Sequence, residues 1–182
     1  MQRYYIALIL PEPLQSDITA FKNDIHQRFG AKSALKSPAH ITLFPPFNWQ
    51  KEEENALKTT LDGFILENQT AKRSLSIKLK NFDFFRKSTV FIPPEDNENL
   101  SILRGTLLTY LSTQIGLSDD KDATRPFHPH VTIVNRDISE RDFEAIWAEY
   151  SSKTFEKAFV ATAISLLRHN GTHWEVVHEA AF

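Results

Sequence analysis

Cysteine is missing from all 182 residues, which removes disulfides, thiolate nucleophiles and cysteine-based zinc sites and suits a reducing compartment. Glycine is scarce as well. Its five copies stand singly, so no glycine-rich loop exists to cradle a phosphate. No apolar run approaches the roughly eighteen residues of a membrane span. The stretch from Met1 to Pro11 is too short in apolar residues for a signal peptide's charged region, apolar core and cleavage site. A soluble cytoplasmic protein with no membrane partner is the expectation. An excess of one charge is also lacking: 21 Lys and Arg against 23 Asp and Glu leave a net charge of −2. That excludes the global basic field of a protein that coats nucleic acid, while leaving room for a local basic patch. Phenylalanine, in contrast, is plentiful at 14 copies in a chain 41% hydrophobic, so an aromatic-rich core is expected. The length fits one domain, residues 1–182, built as one unit or as two lobes, and a monomer is expected.

Periodicity gives an order of elements. Arg3 to Leu10 reads as a strand ended by Pro11. Leu14, Ile18, Phe21, Ile25 and Phe29 recur at helical spacing, and Gly30 is placed to end that helix. A strand beginning at His40 is expected to stop at Pro45-Pro46, before a second helix over Glu52 to Glu67. Ser74 to Phe85 alternates and predicts a hairpin with Thr89 to Ile92 around Arg86-Lys87-Ser88. A third helix spans Asn99 to Ile115, closed by Gly116, and a polar loop covers Ser118 to Arg125. After a second His-bearing strand, Ser139 to Asp142 has the form of a capping box for a fourth helix. Two strands, Phe155 to Arg168 and Trp174 to Ala181, close on an Asn170-Gly171 turn. The expected class is α+β: antiparallel sheets with helices outside and a loose duplication of element order. Two such sheets leave a central groove between the His-bearing faces.

Two phrases share one layout. Pro38-Ala39-His40-Ile41-Thr42-Leu43-Phe44 is repeated ninety residues later by His128-Pro129-His130-Val131-Thr132-Ile133. Side chains alternate across a strand, so His40 and Thr42 share one face, as do His130 and Thr132. A single His matches His-x-Thr-apolar by chance in roughly one case in twenty to thirty at average residue usage. Two matches among seven histidines, both on strands, argue for chemistry.

That chemistry is phosphodiester substitution. It needs a base for the attacking hydroxyl and an acid for the leaving oxygen, and an imidazole with a pKa near 6.5 serves as either. The hydroxyls of Thr42 and Thr132 can donate to non-bridging oxygens and stabilise charge in the transition state. No metal or other cofactor is required. Two His so far apart supply only two ligands, and no carboxylate or thiol stands at zinc-site spacing from them. A serine-hydrolase elbow is absent too.

The two motifs, their separation and phrases such as His40-Ile41-Thr42-Leu43-Phe44-Pro45-Pro46-Phe47 and Phe127-His128-Pro129-His130-Val131-Thr132 resemble the 2H phosphoesterase superfamily, the 2′-5′ RNA ligase-like proteins, over nearly the whole chain. The resemblance implies two pseudo-symmetric lobes, each giving one His strand to a central cleft. It implies hydrolysis of 2′,3′-cyclic phosphates at RNA ends or on small nucleotides, with reversible 2′-5′ ligation in some members. In one respect the chain departs from the family. Members often carry a basic residue soon after the first motif, and here Phe44-Pro45-Pro46-Phe47 follows, so phosphate charge must be met from elsewhere.

Supporting candidates carry alternatives. Arg136 lies at even spacing from His130 and can hold phosphate, or be a solvated strand-end arginine. Arg86 is a candidate basic partner from the hairpin; Lys36 and Arg125 are candidates for the groove rim. Phe47 and Phe127 flank the motifs and can stack on a base or pack in the core. His128 reads as a loop anchor, and His169, His173 and His178 as surface or edge positions. Two rival classes remain at this level: a non-catalytic nucleotide or RNA binder that keeps the cleft, and a structural α+β protein.

Overall fold

The computed structural model describes residues 1–68, 75–118 and 126–182. Ser74, expected to open a strand, and Arg125 with most of its polar loop (119–124) lie outside the described residues. In chain order the elements are β1 (Gln2–Ile9), α1 (Leu14–Phe29), β2 (His40–Trp49), α2 (Glu54–Glu67), β3 (Leu75–Lys80), β4 (Asp83–Phe85), β5 (Thr89–Ile92), α3 (Glu98–Ile115), β6 (Val131–Asn135), α4 (Glu140–Tyr150), β7 (Glu156–Ala161), β8 (Ala163–His169) and β9 (Trp174–Ala181). Short 3₁₀ turns occupy Ser33–Lys36 and Lys51–Glu53. Three antiparallel sheets result: β2-β1-β8-β9, β4-β5-β6 and the pair β3-β7.

β1 is buried on both faces because it lies inside its sheet. Tyr4, Ile6 and Leu8 join the main core. Tyr5 and Ala7 form a small second cluster with Leu167, against which Ile9 and Trp174 pack. The main core is continuous. It runs from β1 through the buried stripes of all four helices to Val131 and Ile133 of β6 and Phe159 of β7. Local chemistry sets the helix ends as expected. Gly30 adopts a left-handed φ of 75° and its N–H donates to the His26 carbonyl at 2.8 Å. Ser139 and Asp142 form a reciprocal capping box on α4.

Three expectations are corrected. The first His strand does not stop at Pro45-Pro46 but continues to Trp49. β2 is an edge strand, where a missing N–H can face away from the ladder, and its register slips between Phe44, opposite Ile6, and Phe47, opposite Tyr4. The stretch up to Phe85 is not one strand of a hairpin. β3 pairs with β7, and only β4 pairs with β5. Asn81, at φ 55°, turns the chain between them, with its N–H on the Phe155 carbonyl at 2.6 Å. Phe155 to Arg168 likewise divides, β7 going to β3 and β8 to the sheet of β1. The Asn170-Gly171 hairpin between β8 and β9 is present.

Candidate functional site

β2 and β6 bring their motifs to one cleft of about 760 Å³. In β2, His40 lies opposite Ile9 and Thr42 opposite Ala7, which puts both on the face of Tyr5, while Ile41 and Leu43 go to the core. In the other sheet Thr132 lies opposite Phe91 and Val131 opposite Ile92, and Val131 and Ile133 are buried. His40, Thr42, His130 and Thr132 all line the cleft.

The two imidazoles are held in the same way. His40 Nδ1 is 2.7 Å from the Pro38 carbonyl, and His130 Nδ1 is 2.7 Å from the His128 carbonyl. A carbonyl only accepts, so each Nδ1 carries the hydrogen and each Nε2 keeps its lone pair for the cleft. Proline in each motif stiffens the tripeptide that makes this bond. Aromatic rings from the neighbouring strands then fix each imidazole. The Tyr5 ring lies 4.9 Å from His40, and its hydroxyl bonds Ser37 and approaches His40 Nδ1 at 3.4 Å. Phe85 and Phe91 stack at 4.2 Å and each meets His130 at 5.2 Å.

Burial pulls the His40 pKa down to about 4, against the opposing hydrogen bond to Pro38 and with the charges of Lys22 and His130 adding to the fall. Burial and the neighbouring His128 also lower His130, opposed by its backbone bond.

Arg136 and Arg86 both line the cleft. Arg136 does so by a turn and not by strand alternation: β6 shifts register near Ile133, ends at Asn135, and Arg136 takes φ 62° with its N–H on the Ser88 carbonyl at 2.8 Å. Arg86 and Lys87, at φ 50° and 49°, are the two central residues of the turn closed by Ser88 N–H on the Phe85 carbonyl. The two phenylalanines lie elsewhere. Phe47 packs on Tyr4, Phe44 and Trp49, and Phe127 lies under the Arg104 guanidinium at 4.5 Å while packing on the core. Lys36 is exposed beside a second cavity. His178 bonds Asp62 at 2.8 Å, and His169 and His173 belong to the β8–β9 turn.

Periodicity missed Tyr5, Phe85, Phe91 and Lys22. Lys22 carries a signal: it stands four residues after Ile18 and three before Ile25, within the apolar stripe of α1, and it is buried with them. Among the described residues there is no group of three or more His, Cys, Asp or Glu side chains able to hold a metal ion, and no helix long and apolar enough to cross a membrane.

This fold, with two His-bearing strands facing one cleft, is that of the two-histidine phosphoesterases. Residues 10–173 match the sequence pattern of the 2′-5′ RNA ligase superfamily, and the chain belongs to that superfamily. Solved structures agree on the fold. TT0787 of Thermus thermophilus is similar with a TM-score of 0.68 and 16% identity, over 98% of this chain and 97% of that one. E. coli LigT is similar in its apo form, with a TM-score of 0.64 and 20% identity, over 100% and 97% of the two chains. LigT complexed with 3′-AMP gives 0.63 and 20%, over 100% and 98%. Among curated protein sequences nothing matches the chain.

Proposed function

We propose that this protein is a metal-independent phosphoesterase that opens 2′,3′-cyclic phosphates, at RNA ends or on small nucleotides, by general acid–base catalysis between His40 and His130. The observation that carries this reading is the paired arrangement of the two rings, each with Nδ1 tied to the carbonyl two residues before it and Nε2 left for one cleft. One ring enters neutral and takes the proton of the attacking water as its oxygen bonds to phosphorus. The other enters protonated and gives that proton to O3′ as the P–O3′ bond breaks, leaving a 2′-phosphate. A 5′-hydroxyl in place of water gives a 2′-5′ linkage by the same transfers. Thr42 and Thr132 donate to the non-bridging oxygens, and Arg86 and Arg136 at the cleft meet the remaining charge. Membership of the superfamily and the fold shared with LigT, one structure of which holds 3′-AMP, support a nucleotide substrate.

The test is turnover by the purified protein, in EDTA, of 2′,3′-cyclic mononucleotides and of oligonucleotides ending in a cyclic phosphate. Release of 2′-phosphates is expected. Tight binding of these compounds without turnover would instead make the protein a nucleotide binder that kept the cleft.

A further inference from the structure

One buried charge in the cleft has no part in the proton transfers. Lys22 is only 4% exposed, although it stands in the middle of α1. Its Nζ donates to the Ser37 carbonyl at 3.0 Å. Among the described residues no carboxylate pairs with it. An ammonium so placed is costly to keep, and burial pulls its pKa down to about 8. Methionine would fill the same space without that cost. The charge is therefore placed for a ligand, and the surrounding space agrees. Lys22 lines the main cleft, and with Ser37 and Trp174 it also lines an adjoining cavity of about 320 Å³. Lys36 and His173 stand on the rim of that second cavity. Ser37, which lines both spaces, approaches His40 on its Nδ1 side, where the Tyr5 hydroxyl also lies.

We propose that Lys22 forms a second phosphate subsite, which takes the phosphate on the 5′ side of the nucleotide whose cyclic phosphate lies between His40 and His130. The inference rests on the reading of the cleft given above and narrows its substrates. A terminal cyclic phosphate has further phosphates only on its 5′ side, so the preferred substrate is an oligonucleotide end or a 5′-phosphorylated nucleotide. A charge-assisted hydrogen bond from a desolvated ammonium to a phosphate oxygen is among the stronger polar contacts available. Lys22 touches a part of the substrate that does not react, so its loss is expected to move binding more than turnover.

The experiment is calorimetric binding of adenosine 2′-monophosphate and adenosine 2′,5′-bisphosphate to the wild type and to Lys22→Met, with thermal unfolding of both proteins. The wild type is expected to bind the bisphosphate at least about tenfold more tightly. Lys22→Met is expected to erase that preference, to bind the monophosphate within about twofold of wild type, and to unfold at the same temperature or higher. Three results would overturn the subsite: no preference in the wild type, a preference that survives in Lys22→Met, or an equal loss for both nucleotides. The last would mean that Lys22 acts through His40. A protein that binds as expected yet turns over no cyclic phosphate supports the subsite and overturns only the catalytic reading. Binding of neither nucleotide by a protein that turns over cyclic phosphates overturns the subsite alone, and binding of neither without turnover overturns both readings.

Discussion

His40 and His130 share a hydrogen-bond pattern but differ in what surrounds them. His40 is enclosed by Tyr5 and lies near the Lys22 ammonium, while His130 leans on Phe85 and Phe91. Both titrate below the ordinary histidine value, His40 at about 4. The kcat/KM profile reports groups of the free enzyme. On a 2′,3′-cyclic nucleotide it is expected to be bell-shaped, with a rising limb near pH 4 and a falling limb below about 6.5, the two limbs belonging to the pair. An optimum above about pH 7.5 would contradict this. The same shifts bear on stability. The folded values lie below the unfolded value, so the unfolded chain takes up protons first as pH falls. The contribution is complete above about pH 6.5 and is lost towards the folded value near 4. Urea midpoints measured between about pH 7 and 4 are expected to fall, and to fall less in His40→Gln. Thr42→Val and Thr132→Val are each expected to lower kcat by about 10²–10³ with the fold intact, as for loss of a single oxyanion donor. Unchanged turnover in both would remove the threonines from the reaction.

The β4–β5 turn puts two non-glycine residues at positive φ beside the cleft. A left-handed conformation costs an L-residue about 1–2 kcal/mol, part of which glycine gives back in unfolded-state entropy. Lys87→Gly is therefore expected to stabilise the protein by about 0.5–1 kcal/mol in urea denaturation. The exposed contacts of Lys87 with Glu140 and Glu144 are long enough to offset little of this. Arg86→Gly is expected to stabilise similarly while lowering kcat/KM about tenfold, since it alone removes a guanidinium from the cleft. Equal activity of the two variants would leave Arg86 a turn residue only. The place of this turn was legible, since Arg86-Lys87-Ser88 breaks two alternating runs, but its left-handed backbone was not, because neither Arg nor Lys is a residue that such a turn favours. The two His strands, the helix caps and the Asn170-Gly171 hairpin were legible because alternation and cap chemistry are local. Tyr5, Phe85 and Phe91 were not, because they reach the imidazoles across strand pairs fixed by distant residues. Phe47 flanks the first motif in sequence, but the register slip after Phe44 takes it onto Tyr4. Sequence neighbours of a motif are therefore poor guides to what shares its cleft.

The three sheets bury against one another in a single continuous core that includes residues from β1, β6 and β7. β7 binds the end of the chain to β3, and β8, immediately after it, binds β1. Neither His-bearing sheet can lose its packing alone. Unfolding is expected as one cooperative step, with tryptophan fluorescence and far-ultraviolet circular dichroism melting together; separated transitions would mean that the halves fold independently. That shared core is what holds two strands, ninety residues apart in sequence, in one cleft. The direct test of whether they act as one catalytic unit is turnover of a 2′,3′-cyclic nucleotide in EDTA by wild type, His40→Ala, His130→Ala and His128→Ala, each checked for intact folding. Either single loss, at His40 or at His130, is expected to cost about 10²–10⁴ in rate, while His128→Ala, which keeps the carbonyl that His130 uses, retains most activity. A folded His40→Ala or His130→Ala protein turning over at near the wild-type rate, or a wild type silenced by EDTA, would contradict catalysis by the histidine pair.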